Sequence, residues 1–186
     1  PKTMEPARHA GIPVRVKNTF DPDHPGTQIV AGRRKTHRTV VALALKRSQT
    51  IMNLRSTRML DAEGYLATVF EILHQHQISV DAIATSEVSV CMTVEPRYRD
   101  ALGRAAEQLA DVAEVELTDG RTIICAVGLG MRDRPGTAGL IFQAMATAEV
   151  NIEMISMGSS LINVTFVVRD EDADRASDTD WLLLMS

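Results

Sequence analysis

The chain is predicted to be an α+β protein made of two copies of one βαββαβ plan, the first inserted in the second. Three observations predict it: an internal repeat, an apolar stripe at helical spacing after a glycine in each copy, and apolar/polar alternation in the runs that follow. The first copy reads GYLATVFEILHQHQISVDAIATSEVSVCMTV from Gly64, and the second GTAGLIFQAMATAEVNIEMISMGSSLINVTFVV from Gly136. At one constant offset Gly64 aligns with Gly136, Phe70 with Phe142, Val80 with Ile152, Asp81 with Glu153 and Ile83 with Ile155. The second copy then takes two extra residues in a turn, after which Ser86 pairs with Ser160 and Val88 with Ile162. A duplicated unit whose polar residues recur at the same turns points to two equivalent ligand sites, hence to a sensor.

In the first copy, Thr50–Arg55 reads as a strand. Positions 65, 66, 69, 70 and 73 make one helical stripe, Ser79–Ala84 is a second strand, and Val88, Val90, Met92 and Val94 alternate with Ser89, Cys91 and Thr93 as a third. A second helix spans Arg97–Asp111, with Tyr98, Leu102, Ala105 and Leu109 on one side, and Ala113–Thr118 closes the unit. That is the ferredoxin-like order, in which right-handed crossovers put both helices on one face of an antiparallel sheet. The second copy repeats it with Thr122–Val127, a helix carrying Ala138, Ile141, Phe142 and Met145, a strand over Asn151–Ser156, and a strand in which Ile162, Val164 and Phe166 alternate with Asn163 and Thr165. Only 18 residues follow Val168, enough for a short helix. Thr39–Leu45 is a strand with no place in the first copy, so it is expected to cross over and close the second sheet. The expected organisation is a leading segment and linker over 1–38, a first domain over 48–118, a second over 39–47 plus 119–176, and a tail over 177–186.

Composition narrows the function. At 186 residues, 45% hydrophobic and 24% charged, the chain can bury one or two small cores. Net charge is −4 and 4% of residues are aromatic, which supplies neither the basic stripe nor the stacking platform of a nucleic-acid binder. The longest apolar run, Val40–Leu45, is too short to span a bilayer, and no secretory signal opens the chain. Cys91 and Cys125 lie inside apolar runs and read as reduced core thiols of a cytoplasmic protein.

The site can be argued from ligand chemistry. An amino acid offers a carboxylate, which free N–H groups at a helix start can hold, and one or two ammonium groups, which need anions or carbonyls. Gly64, Tyr65 and Leu66 open a helix just after a polar loop containing Asp61, and glycine permits close approach. Asp81 and Glu87, with Ser79 between them, lie on or beside strands expected to end near that helix start. Met59, Val80 and Ser86 complete the candidate set. The matched second set is Gly136, Asn151, Ile152 and Glu153. It is weaker, because Leu161 stands where the counterpart of Glu87 would be. GLGMRDRPG, Gly128 to Gly136, lacks the spacing of a phosphate loop. His74 and His76 point to different sides of a helix, so no metal site is expected; GRRKTHR, residues 32–38, reads as a solvated hinge.

Three motifs carry a family resemblance. The pattern SxxML…G[FY]LAxVFEIL…ISVDxIATSEVSV, Ser56 through Val90, resembles the first ACT domain of aspartate kinases; VGxGMRxxPGxAxxIFxAM…NIEMISxGSSxIN, Val127 through Asn163, resembles their second. AxxAGIPVRVKNTFDPxxPGTxI, Ala7 to Ile29, is similar to the end of their kinase domain. The resemblance implies a regulatory, amino-acid-sensing region, with residues 1–38 a remnant of the kinase domain. The parent enzymes phosphorylate aspartate with ATP and Mg at the head of lysine, threonine and methionine synthesis. The chain lacks the segments that hold aspartate and ATP, so no phosphotransfer activity and no cofactor are expected of it alone. The expected partners are a small-molecule effector, lysine or alternatively threonine, a second copy through the ACT domains, and the parent kinase domain. The other reading is a free-standing ACT module regulating another partner. Departures are Leu161, where the family carries an acid, and the end of the chain, where the match stops at Ala176 and the acids read as a solvated helix face or tail.

Overall fold

The structure is a computed structural model that describes residues 2–31, 39–60, 63–128, 131, 135–158 and 163–179. It divides into two units, Pro1–Thr36 and His37–Ser186. The first holds a short helix, α1 (Glu5–His9), started by Pro6 in its first turn, and an antiparallel pair, β1 (Val14–Val16) with β2 (Thr27–Ile29). Its apolar residues are poorly covered: Phe20 is 97% exposed, and Ile12, Val16 and Val30 are exposed as well.

The second unit contains β3 (Ala42–Arg55), α2 (Tyr65–Gln75), β4 (Val80–Thr85), β5 (Ser89–Val94), α3 (Arg99–Leu109), β6 (Glu114–Val127), α4 (Thr137–Thr147), β7 (Met154–Ser156), β8 (Asn163–Arg169) and α5 (Ala173–Asp178). Its strands form a 6-stranded antiparallel sheet in the order β4-β5-β3-β6-β8-β7. Where four separate strands were expected, β3 and β6 are single strands of 14 residues each. Residues 50–55 of β3 pair with β5, whereas Ala42–Lys46 pairs only with Ile123–Val127 of β6. The upstream run is thus the fourth strand of the second βαββ half, and each long strand serves both halves.

The bend that allows this has a local cause. Ser48 (φ 58°) and Gly120 (φ 72°) occupy matched places in the two long strands, and the register shifts between Lys46 and Ile51. One left-handed residue per strand turns the chain from one half-sheet into the other while the ladder continues on both sides. Glycine adopts that conformation freely; Ser48 is pinned in it by a backbone N–H bond to Asp170 Oδ1 at 3.2 Å. A Cβ at position 120 would meet only Asp170 Oδ2, at 4.0 Å. Gly120→Ala is therefore expected to cost about 1 kcal/mol of conformational origin, read as a lower urea midpoint. An unchanged midpoint would show that the bend does not need the left-handed residue.

Alternation along the strands builds three cores. On one face Met52, Leu54, Val90 and Met92 pack under Leu73 of α2 and Leu102 of α3. In the other half Ile124, Val164 and Phe166 pack under Ile141 and Met145 of α4 and Ala176 of α5. The helix-free faces meet in a third, smaller cluster of Ile51, Ala82, Ile123, Met154 and Val167, which joins the halves. A bulge between Val80 and Ile83 lets Val80 serve the first core while Ala82 serves the third. The acids near the end are not all solvated. Asp172 has a side chain only 3% exposed, held by Arg169 and Arg175, because two guanidinium groups compensate its charge. Residues 180–186 lie outside the described residues. No described helix is long and apolar enough to cross a membrane.

Candidate functional site

Gly64 and Gly136 stand immediately before α2 and α4 in the left-handed conformation, with φ of 81° and 84°. A Cβ built on either would meet nothing within 4 Å among the described residues, so none of these crowds the two glycines. Thr68 N–H bonds Gly64 O and Leu140 N–H bonds Gly136 O, which begins each helical ladder at its glycine. Tyr65 packs against the first core with its hydroxyl buried and without a hydrogen-bond partner among the described residues. Leu66 is exposed.

One chain does not bring all the candidate residues together. β4 runs parallel to the second half of β3 with β5 between them, Val80 level with Thr50 across Val94 and Thr85 level with Leu54 across Val90. A crossover helix runs antiparallel to the strands it connects, so α2 starts at the Thr85 end of β4 and finishes near its Val80 end. Met59, Gly64, Tyr65, Leu66, Ser86 and Glu87 share the first end. Ser79, Val80 and Asp81 sit at the other, Asp81 being four residues or roughly 13 Å along the strand from Thr85. The same rule separates Gly136 from Asn151, Ile152 and Glu153. The expectation that Asp81 and Glu87 converge on the helix start within one chain is therefore corrected. Ser86 and Ser89 close the β4–β5 turn through their hydroxyls at 2.7 Å, and Glu87 is exposed there. Asp61 and Leu161 lie outside the described residues.

Both matched acids carry partners that sequence reading missed. Asp81 Oδ2 accepts from Lys46 Nζ at 2.6 Å, and Glu95 Oε1 accepts from the same ammonium at 2.6 Å. Glu95 also pairs with Arg97 at 2.8 Å. Burial acts to lower the Lys46 ammonium, but Asp81 and Glu95 outweigh it and raise it above its ordinary value. The Lys46 hydrogen bond holds Glu95 below the usual carboxylate range, with Arg97 adding to the effect. Glu153 Oε2 accepts from Arg121 Nε at 2.5 Å. Burial, then the Glu153 charge, pushes the Cys91 thiol up. No periodicity marks these partners, because they stand 32 to 49 residues from the acids they bind.

Between the half-sheets, Asp81, Lys46, Ile83, Cys125, Ser156 and Thr165 line a cleft of about 680 Å³. Ser156 Oγ donates to Ile83 O at 2.9 Å, which ties β7 to the edge strand β4.

Two interlocked βαββ halves, each with a glycine-started helix and a matched acid at the start of its next strand, define a tandem, duplicated α+β module. The profile of the ACT domain matches residues 53–109 and 124–179, more than half of the chain, and the chain belongs to the ACT domain family. It is 39% identical over 181 residues to aspartokinase 1, chloroplastic, of Arabidopsis thaliana, covering 94% of this chain and 32% of that protein. It is 35% identical over 181 residues to lysine-sensitive aspartokinase 3 of Escherichia coli, covering 94% and 40% respectively. Among solved structures, Escherichia coli aspartokinase III in complex with lysine and aspartate superposes with a TM-score of 0.81 at 35% identity, over 94% of this chain and 39% of that one. A C-terminal regulatory domain of aspartate kinase from Porphyromonas gingivalis gives 0.66 at 30% identity, over 78% and 97%. The chain is thus homologous to the regulatory ACT region of aspartokinases, and it spans about a third of the length of the curated relatives it matches.

Proposed function

We propose that the chain is the effector-sensing part of an aspartokinase, binding an end-product amino acid, lysine first and threonine as the alternative, and so inhibiting phosphorylation of aspartate by ATP in the kinase domain. The observation that carries this reading is the duplicated, glycine-started helix with its matched acid, in a chain homologous to lysine-sensitive aspartokinase. Residues 1–38 belong, on this reading, to the end of the kinase domain. The uncovered Ile12, Val16, Phe20 and Val30 support that, since an apolar set left exposed in an isolated piece needs a neighbour to pack on. ATP and Mg would act there and not on the ACT domains.

The ends of β4 suggest how the effector site is completed. Antiparallel pairing of two β4 edges about a two-fold would bring Asp81 of one chain toward Glu87 and the α2 start of the other, with the ligand at the seam. Leu66 and Phe70, one turn apart on α2, are left exposed, and they would give such a pairing its apolar contact. Light scattering is expected to show a dimer at micromolar concentration; a 20.4 kDa species with and without lysine would overturn the pairing. Calorimetric titration with each end-product amino acid tests the effector, and no heat with lysine or threonine would remove the sensing role.

A further inference from the structure

The cation on Asp81 comes from the other half of the molecule. Lys46 lies on the part of β3 that pairs only with β6, opposite Ile123, so its backbone belongs to the second half-sheet. Its side chain crosses the Ser48 bend to reach Asp81 and Glu95, both of the first half, which flank the paired Val80 and Val94 on their two strands. One ammonium thus occupies the acid proposed above to receive the ammonium of the effector.

We propose that Lys46 is a built-in competitor of the effector, and that a cationic amino acid displaces it from Asp81 onto Glu95 alone, loosening the second half from the first. The inference rests on the effector reading of Asp81. Displacement strands no charge: Lys46 keeps Glu95, Asp81 exchanges one ammonium for another, and Arg97 stays on Glu95. The Lys46 side chain is 42% exposed, so the pair it gives up is a weak one with water at hand.

The second half offers a contrast. Arg121, only 18% exposed, holds Glu153 at 2.5 Å and also donates from Nη1 to Asp119 O at 2.9 Å. A guanidinium tied at two points and largely shielded from water is harder to dislodge than a lysine on a flexible stem. Exchangeable Lys46 at one acid and anchored Arg121 at the other make the first half the one that responds.

A double-mutant cycle read by calorimetry tests this on the full chain with L-lysine as probe. Lys46→Met keeps the apolar stem and removes the competitor, and it is expected to bind L-lysine about two- to fivefold tighter, the range that follows from an exposed pair of roughly 0.2–1 kcal/mol. Lys46→Gln should show the same gain, which guards against a folding defect peculiar to one variant. In an Asp81→Asn background the gain should vanish, because there is no longer an acid to compete for. Equal or weaker binding by both Lys46 variants, or a gain that persists without Asp81, overturns the competitor role while leaving the effector reading standing. Failure of the unaltered chain to bind either L-lysine or L-threonine overturns both.

Discussion

Replacing Asp81 with Ala is expected to weaken lysine binding at least tenfold, and Glu87→Ala likewise, while Glu153→Ala changes it little. Lysine brings two ammonium groups and one carboxylate, and on the proposed reading Asp81 and Glu87 would answer both cations. Threonine would leave at least one of them without a cationic partner. Losing one charge-assisted hydrogen bond costs roughly 1.5–3 kcal/mol, about tenfold to more than a hundredfold in affinity. Glu153 differs because Arg121, tied also to Asp119 O, holds it more firmly than the exposed Lys46 holds Asp81, and because Leu161 replaces the second acid of that copy. Calorimetric titration of the three variants is the measurement. Loss of binding in Glu153→Ala with none in Glu87→Ala would exchange the two sites, and tighter binding of threonine than of lysine would change the effector.

Phe166→Ala should remove about 3–5 kcal/mol of stability, a large share of the roughly 5–15 kcal/mol that holds a domain folded. Phe166 is fully buried on β8 in the core made by Ile124, Ile141, Met145 and Val164. A cavity there cannot collapse easily, since its floor is a sheet and its roof α4. The loss should spread. β3 and β6 serve both half-sheets, and Ile51, Ala82, Ile123, Met154 and Val167 join their helix-free faces. Urea denaturation followed at both halves is expected to give one transition, displaced as a whole in the variant. Two transitions, with the first half unaffected, would show that the shared strands do not couple the halves.

Much of the architecture was legible because it is written in short spacings. The stripe Leu66, Val69, Phe70 and Leu73, the alternation from Val88 to Val94 and the matched Gly64 and Gly136 each report a backbone period of a few residues. Those periods survive in the structure as α2, β5 and two left-handed helix starts. The duplication and the orphan strand upstream of the first copy led to interlocked halves, because an unpaired strand must find a ladder. What misled was counting Thr50–Arg55 and Thr39–Leu45 as separate strands. A polar stretch, Lys46 to Gln49, reads as a break, yet Ser48 turns left-handed and the strand continues.

The sequence alone determined the fold class, the helices, the duplication and the polar residues at each turn, since all of these follow from local periodicity and from comparison of one copy with the other. Only the tertiary structure decided which ends meet. It set Asp81 and Glu87 at opposite ends of β4, and it placed Lys46 on Asp81 and Arg121 on Glu153. Those pairings depend on the direction of a crossover helix and on strands shared between sheets. Side chains up to 49 residues apart are brought to hydrogen-bond distance by the path of the chain between them, and no short-range pattern records that path.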